Sequence, residues 1–143
     1  MIILRDAKPE DSPALAGLLG AWVADTPWMP KLHSKVQDLG FLRHLIATHD
    51  VRMSDAPSVG LLARDGAKIS QLQVAQLVRR GGIGRALVQE AQSRTSHLTL
   101  WTHQANDAAI AFWKAMGFNE TARTDGMNSE EKLPDICFDW TAA

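Results

Sequence analysis

A glycine-rich turn, Arg79-Arg80-Gly81-Gly82-Ile83-Gly84, joins a strand-like run to a segment with helical periodicity. The run before it, Ile69 to Ala75, follows a turn and has the length of a strand. After it, Ile83, Leu87 and Ala91 recur at a spacing that places apolar side chains on one helical face. A strand that leads through glycines into an amphipathic helix is typical of α/β folds, since the helix can then cover the sheet.

The rest of the chain divides into the same two kinds of segment, without an internal repeat or a low-complexity linker. The first half predicts a strand at Ile2 to Arg5, followed by two helices. The first helix carries Leu15, Leu18, Leu19 and Trp22, and the second is capped by Ser34 and carries Val36, Leu39, Leu42 and Ile46. Three antiparallel strands follow, at Val51 to Ser54, Val59 to Ala63 and Ile69 to Ala75. After the glycine turn it predicts a helix, a strand at Leu98 to Trp101, a helix from Ala105 to Met116 ended by Gly117, and strands near Glu120 to Thr124 and Ile136 to Trp140. We therefore expect a single domain over residues 1–143, built as a mixed α/β sheet with helices on both faces. Trp22, Trp101, Phe118 and Trp140 are assigned to its core.

Charge and composition exclude several classes of function. The 15 basic and 16 acidic residues are spread along the chain and give a formal charge of −1, which argues against a nucleic-acid partner. No apolar run is long enough to cross a membrane and the start does not resemble a signal peptide, so we expect a cytoplasmic protein without a membrane partner. Cys137 stands alone, and the five histidines lack the spacing of a zinc site, so no metal is predicted.

The glycine turn has the chemistry of a phosphate site. Backbone N–H groups at a helix start carry about half a positive charge, and glycines allow an anion to approach them closely. Arg79, Arg80 and Arg85 add full charges, which suits a diphosphate. The motif is not a Walker loop, because Arg85 and Ala86 follow Gly84, and it lacks the third glycine of a dinucleotide fingerprint. A plain turn with solvated arginines is the alternative.

The same residues carry a family resemblance. Arg79-Arg80-Gly81-Gly82-Ile83-Gly84 resembles the Gln/Arg-x-x-Gly-x-Gly/Ala signature of GNAT N-acetyltransferases, and the segment Asn106 to Phe118 resembles the family's Asn...Ala...Phe-Tyr...Gly-Phe helix. The likeness is strongest over about residues 66 to 118. It implies the GNAT acyl-CoA N-acyltransferase fold: a mixed, mostly antiparallel sheet of six to seven strands, flanked by four helices and splayed between strands 4 and 5.

The resemblance implies acetyl-CoA as co-substrate and an amine, on a small molecule or a peptide, as acceptor. In the family the pantetheine arm pairs with the fourth strand, whose amide near Val74 would stabilise the oxyanion. The positions carried over to cofactor binding are Leu72, Val74, Arg79, Arg80, Gly81, Gly82, Ile83, Gly84, Arg85, Asn106 and Phe112. Asn106 has a helix cap as its alternative role. Many relatives pair as homodimers, although no segment here identifies an interface.

The sequence departs from the family pattern at the residue proposed as the general acid. Trp113 stands where relatives carry the tyrosine proposed to protonate the departing thiolate, and the chain contains no tyrosine. An indole cannot transfer that proton, although it could line the thioester pocket. A non-catalytic acyl-CoA binder or sensor on the same scaffold is therefore the alternative function.

The base is not assigned by the sequence either. Many relatives carry a glutamate on the fourth strand, where this chain has Gln71 and Gln73. The remaining candidates are His33, His103, Glu130 and Glu131. Trp28, between the first two helices, is expected either to wall the acceptor pocket or to cover the core.

Overall fold

The computed structural model describes residues 2–55, 59–75 and 81–143. Its helices are α1 (Ser12–Asp25), α2 (Lys35–Thr48), α3 (Ile83–Arg94) and α4 (Asp107–Ala115), with a short 3-10 turn at Pro9–Asp11. Its strands are β1 (Arg5–Asp6), β2 (Asp50–Ser54), β3 (Gly60–Asp65), β4 (Lys68–Val74), β5 (His97–His103), β6 (Asn119–Thr124) and β7 (Asp135–Thr141). The predicted order of elements is confirmed, with β1 shorter and later than expected.

The seven strands form one sheet in the order β1-β2-β3-β4-β5-β7-β6. Within the described part of the chain, β4 and β5 are the one parallel pair, and every other pairing is antiparallel. The mixed, mostly antiparallel sheet with four helices that the sequence predicts is confirmed.

Each face of the sheet has its own core. On one face α1 and α2 cover β2 and β3, and their contacts include Leu15, Leu42 and Leu61. On the other face α3 and α4 pack on β3, β4, β5 and β7, through side chains such as Leu62, Val88 and Phe138. Leu61 and Leu62 belong to different cores because successive side chains of a strand point to opposite faces.

Local sequence explains where several helices begin and end. Ser34 caps α2, accepting a hydrogen bond from the Gln37 amide at 3.2 Å, while the Gln37 side chain accepts one from the Ser34 amide at 2.8 Å. Such reciprocal bonds satisfy amides that have no partner inside a helix. Gly117 follows α4 at φ +91°, a conformation that glycine adopts without a Cβ clash.

One assignment to the core is wrong. Trp101 is 46% exposed, whereas Phe118 is buried and Trp140 packs against the core. Val36, one of the apolar residues predicted on the second helix, is 78% exposed. Val36 lies in the first turn of α2, outside the contact of that helix with the sheet. Trp101 is on the face of β5 opposite to Leu98 and Leu100, which are the residues that α3 and α4 cover. Among the helices described, none is long and apolar enough to cross a bilayer.

A cluster of charges ties β1 to the neighbouring turns. Arg5 donates to both carboxylate oxygens of Asp11, at 2.9 and 2.8 Å, and to Asp55 at 2.7 Å. Asp11 also accepts from the Lys8 amide at 2.7 Å. The hydrogen bonds from Arg5, partly opposed by burial, lower the pKa of Asp11 to about 2.

We predict that Asp11→Asn destabilises the protein by about 1 kcal/mol at neutral pH, since the carboxylate is largely covered but Arg5 is partly solvated. A carboxyl whose pKa is lowered by folding stabilises the fold above its unfolded pKa, near 4. The difference between the two proteins should therefore shrink as the pH falls from about 4 towards 2. Urea denaturation from pH 7 to pH 3 measures it, with Asp65→Asn as an exposed control. An equal deficit at pH 7 and pH 3 would contradict the assignment.

Candidate active site

The site is organised by a gap between two neighbouring strands. β4 and β5 pair at Lys68 and Thr99, where the Thr99 amide donates to the Ala67 carbonyl at 2.8 Å. No further register pair joins them in the ranges described, and they separate towards Val74 and His103. β5 is paired with β7 over its whole length, so only its other edge opens into the gap. The predicted splay between strands 4 and 5 is confirmed.

The register of β3 and β4 determines which backbone groups face this gap. The Ala75 amide donates to the Val59 carbonyl at 3.0 Å, on either side of the aligned residues Gly60 and Val74. Such bonds flank a pair that does not exchange hydrogen bonds of its own in an antiparallel ladder. Val74, and Leu72 two residues before it, therefore direct their backbone polar groups away from β3 and towards the gap.

Gly82 and the start of α3 lie at the open end of β4. Gly82 precedes α3 at φ +88°, a left-handed conformation, and its carbonyl accepts the first helical bond from the Ala86 amide at 2.9 Å. A Cβ on Gly84 would lie 3.7 Å from the Val74 side chain and 3.5 Å from the Phe112 ring. The start of α3 is thus in contact with the end of β4 and with α4.

Close packing holds that helix start in place. Ile83 is buried against Gly60, where an added Cβ would come within 2.7 Å of the Ile83 side chain. Arg52 on β2 donates to both carboxylate oxygens of Glu90 on α3, at 2.8 and 3.0 Å. Gly81 and Arg85 are exposed beside the turn, and Arg79 and Arg80 lie outside the described residues.

The residues predicted on α4 have different environments. Asn106 accepts a hydrogen bond from the Ala109 amide at 3.1 Å, so its alternative role as helix cap is confirmed. Phe112 is half-buried and lines the cleft. Trp113 is 5% exposed, and its ring meets Phe112 and Phe118 edge-on with centroids 5.0 Å apart in each pair. Trp113 is mainly a core residue that also contributes to the cleft wall.

A single cleft of about 1920 Å³ connects these parts with the α1–α2 side of the sheet. It is lined by every described residue predicted for the site except Gly81, namely His33, Leu72, Val74, Gly82, Ile83, Gly84, Arg85, Asn106, Phe112, Trp113 and Glu130. Among the residues that the structure describes, no group of three histidines, cysteines or carboxylates is arranged to hold a metal.

Four side chains of the sheet face α1 and α2 across this cleft. Gln71 and Gln73 align with Ala63 and Leu61, which pack under α1 and α2. Trp101 and His103 alternate with Leu100, which packs under α3 and α4. All four line the cleft, with the Gln73 amide donating to the Gln71 oxygen at 3.4 Å. Trp101 is therefore a wall of the cleft, a role that the sequence did not reveal.

The segment between α1 and α2 borders the same end of the cleft. Met29, Pro30 and Leu32 line it directly. Trp28 is half-buried behind them, edge-on to Trp22 at 6.0 Å and to His103 at 5.3 Å between ring centroids. Its ring therefore joins α1, through Trp22, to the end of β5, through His103.

Two of the predicted base candidates contact each other. The Nε2 of His33, before α2, pairs with the Glu130 carboxylate, in the segment between β6 and β7. These side chains are 48% and 60% exposed, so the pair lies at the mouth of the cleft. The sequence identified both residues separately and contained no sign of their pairing, because 97 positions separate 33 from 130.

Comparison with known proteins points to one family. The family model described as FR47-like protein matches residues 52–125. The chain is 30% identical over 150 residues to the peptidyl-lysine N-acetyltransferase YiaC of Escherichia coli K12, with 96% of each protein covered. It is 35% identical over 75 residues to the peptidyl-lysine N-acetyltransferase YjaB of the same strain, covering 52% of this chain and 50% of YjaB.

Solved structures establish the fold. The solution structure of apo YjaB from Escherichia coli superposes with a TM-score of 0.80 at 21% identity, over 100% of this chain and 99% of that one. The structure of yncA from Salmonella typhimurium with acetyl-CoA gives a TM-score of 0.74 at 16% identity, over 100% of this chain and 95% of that one. The predicted fold class is confirmed.

Proposed function

The chain belongs to the FR47-like family of GNAT N-acetyltransferases, and from that premise we propose that it acetylates lysine side chains, with the lysine amine attacking the thioester of bound acetyl-CoA directly. The observation that carries the proposal is the gap between β4 and β5, with the glycine start of α3 at its open end. A thioester arm can lie in such a gap while a phosphate rests on the helix N-terminus. The acceptor then approaches from the α1–α2 side, so both substrates are bound together.

The cofactor end of the cleft is assigned to the residues around α3. The amides of Ile83, Gly84 and Arg85 begin the helix and have no partner within its first turn. They would hold the pyrophosphate, with the charges of Arg79, Arg80 and Arg85 beside it.

The pantetheine arm would run along β4. The backbone groups of Leu72 and Val74 face the gap, which suits an arm that contains two amides. We place the donor to the thioester oxygen at the Val74 amide, where a fixed dipole stabilises negative charge as the amine attacks. Asn106 and Phe112 would border the arm from α4.

The acceptor end suits a lysine side chain. Met29, Leu32 and Trp101 provide apolar surface for the four-carbon stem. The carboxylates of Glu130 and Glu131 border the same cleft and would attract the ammonium group. Both the YiaC and YjaB relatives bear the name of peptidyl-lysine N-acetyltransferase, which favours lysine over a small free amine.

Trp113 leaves the departing thiolate without a tyrosine acid. General acids contribute about 10² to 10⁴ in rate. A thiol with a pKa near 8.5 is nevertheless a tolerable leaving group at neutral pH, so the reaction is slowed but not abolished. Trp113 would serve as an apolar wall near the thioester.

The test of the function is turnover of acetyl-CoA with lysine peptides. We expect release of free thiol and one added acetyl group per lysine, seen by mass spectrometry, with no product when arginine replaces the lysine. Transfer to small free amines alone would overturn the lysine assignment. Stabilisation by CoA without any turnover would instead favour a non-catalytic acyl-CoA binder.

Gly84→Asp tests the placement of the cofactor. A carboxylate at the helix start would repel the pyrophosphate, so we predict that the Kd for CoA rises more than tenfold. Isothermal titration calorimetry measures the change. Gly84→Ala adds a methyl group but no charge. Its Cβ would make only ordinary contacts with Phe112, so the Kd for CoA should change far less. Gly40→Asp adds the same charge on an open position of α2 and should have no effect. Unchanged affinity in Gly84→Asp would show that the cofactor lies elsewhere.

Trp113→Tyr tests the missing acid. The substitution returns a phenol to the position that carries it in relatives, so we predict turnover equal to or above that of the original protein. Trp113→Phe is the matched control, with the same ring and no hydroxyl. Steady-state kcat for the two variants isolates the phenol, and circular dichroism confirms that both keep the aromatic core. A large fall in kcat for Trp113→Tyr with an intact fold would contradict the assignment.

A further inference from the structure

His103 occupies the end of β5, where the gap between β4 and β5 is open. Its Nδ1 is buried and has no hydrogen-bond partner in the described part of the chain. A buried polar atom without a partner costs free energy that an apolar side chain would avoid. Such atoms call for an explanation, and a catalytic role is one of the common ones. With Nδ1 buried, Nε2 is the ring nitrogen that can reach the cleft.

Neighbouring groups fix the position of this ring. Trp28 meets it edge-on, with centroids 5.3 Å apart and planes at 68°, and Trp28 in turn contacts Trp22. The His103 carbonyl accepts a hydrogen bond from the Asn106 amide at 3.0 Å, which anchors the backbone at the start of α4.

On this face of the sheet, the other cleft-lining side chains of β4 and β5 that the structure describes cannot accept a proton. Gln71 and Gln73 carry neutral amides, and the indole of Trp101 is a donor only. His33 and Glu130 are paired with each other at the exposed mouth of the cleft. Asp135, which aligns with His103 across the ladder, accepts a hydrogen bond from Thr124 on β6. Within the ranges described, His103 is thus the titratable side chain that β4 and β5 present to the cleft.

We propose that His103 is the general base of the reaction and that Trp28 positions its ring, an inference that rests on the proposed acetyl transfer. The amine nitrogen forms a bond to the thioester carbon, and the carbon–sulfur bond breaks with its electron pair going to sulfur. The proton leaves the nitrogen for Nε2 of His103 and passes from there to water. Because Trp113 supplies no proton, the thiolate takes one from the solvent.

The experiment compares His103→Ala with the original protein on a lysine peptide. We expect kcat to fall about 10² to 10³-fold, as for the loss of a general base, while the Kd for CoA stays within threefold. Added imidazole should restore activity at least tenfold, because it fits the space left by the side chain. His44→Ala, an exposed position of α2 outside the cleft, is the matched control and should keep full activity without a response to imidazole.

His103→Phe separates catalysis from packing. A phenyl ring can keep the edge contact with Trp28 but cannot accept a proton, so kcat should be as low as in His103→Ala, without rescue. Trp28→Leu should lower kcat and leave the Kd for CoA unchanged, since it loosens the ring and not the cofactor site. If His103→Ala does not fold, the kcat of His103→Phe is compared with that of the original protein instead.

A kcat within threefold of the original in His103→Phe would overturn the proposal, as would a loss in His103→Ala that imidazole does not relieve. These outcomes differ from failure of the proposed function. In that case the original protein itself binds CoA and transfers no acetyl group to any lysine peptide.

Discussion

The site depends on how β5 satisfies its backbone hydrogen bonds. β5 pairs with β7 from His97 to His103, which fixes the strand in the sheet and leaves its other edge facing β4. The contact with β4 is limited to Lys68 and Thr99, and beyond that point each strand is held by a different neighbour. Two strand edges that would ordinarily bond to each other along their length therefore face the cleft beyond this point. A continuous ladder between them would leave no space for a thioester arm.

The two cores make this gap permanent. α1 and α2 pack on β2 and β3, whereas α3 and α4 pack on the other face of the sheet. Neither β4 nor β5 can therefore move to close the gap without disrupting a packed core. The tie from Arg52 to Glu90 adds a partly buried, two-bond contact between β2 and α3, and these bonds raise the pKa of Arg52. As a result, the start of α3 is fixed relative to the sheet.

Local patterns in the sequence predicted most of the fold, because helix periodicity, caps and glycine turns are encoded by neighbouring residues. Ser34 and Gly117 act where the sequence placed them. The sequence failed where a role depends on what another segment covers. Trp101 is a large aromatic residue of the kind found in cores, but none of the helices described packs over its face of β5. The contacts of His33 with Glu130 and of Trp28 with His103 join segments far apart in the chain, and no local spacing predicts them.

The distribution of polar groups also explains how an active site can function with Trp113 in place of tyrosine. The indole is packed between Phe112 and Phe118, so the side of the cleft next to α4 is apolar. A thioester bound against this wall, as proposed, would lie in apolar surroundings, which strengthen any backbone dipole directed at its oxygen. Proton-accepting groups such as His103, in contrast, lie on the α1–α2 side, from which the amine would enter in the proposed reaction. A lysine ammonium must lose a proton before its nitrogen is a nucleophile, whereas a thiolate can leave without gaining one. In the proposed reaction, the cleft therefore supplies a proton acceptor for the nitrogen, which is the obligatory proton transfer, and leaves protonation of the thiolate to the solvent.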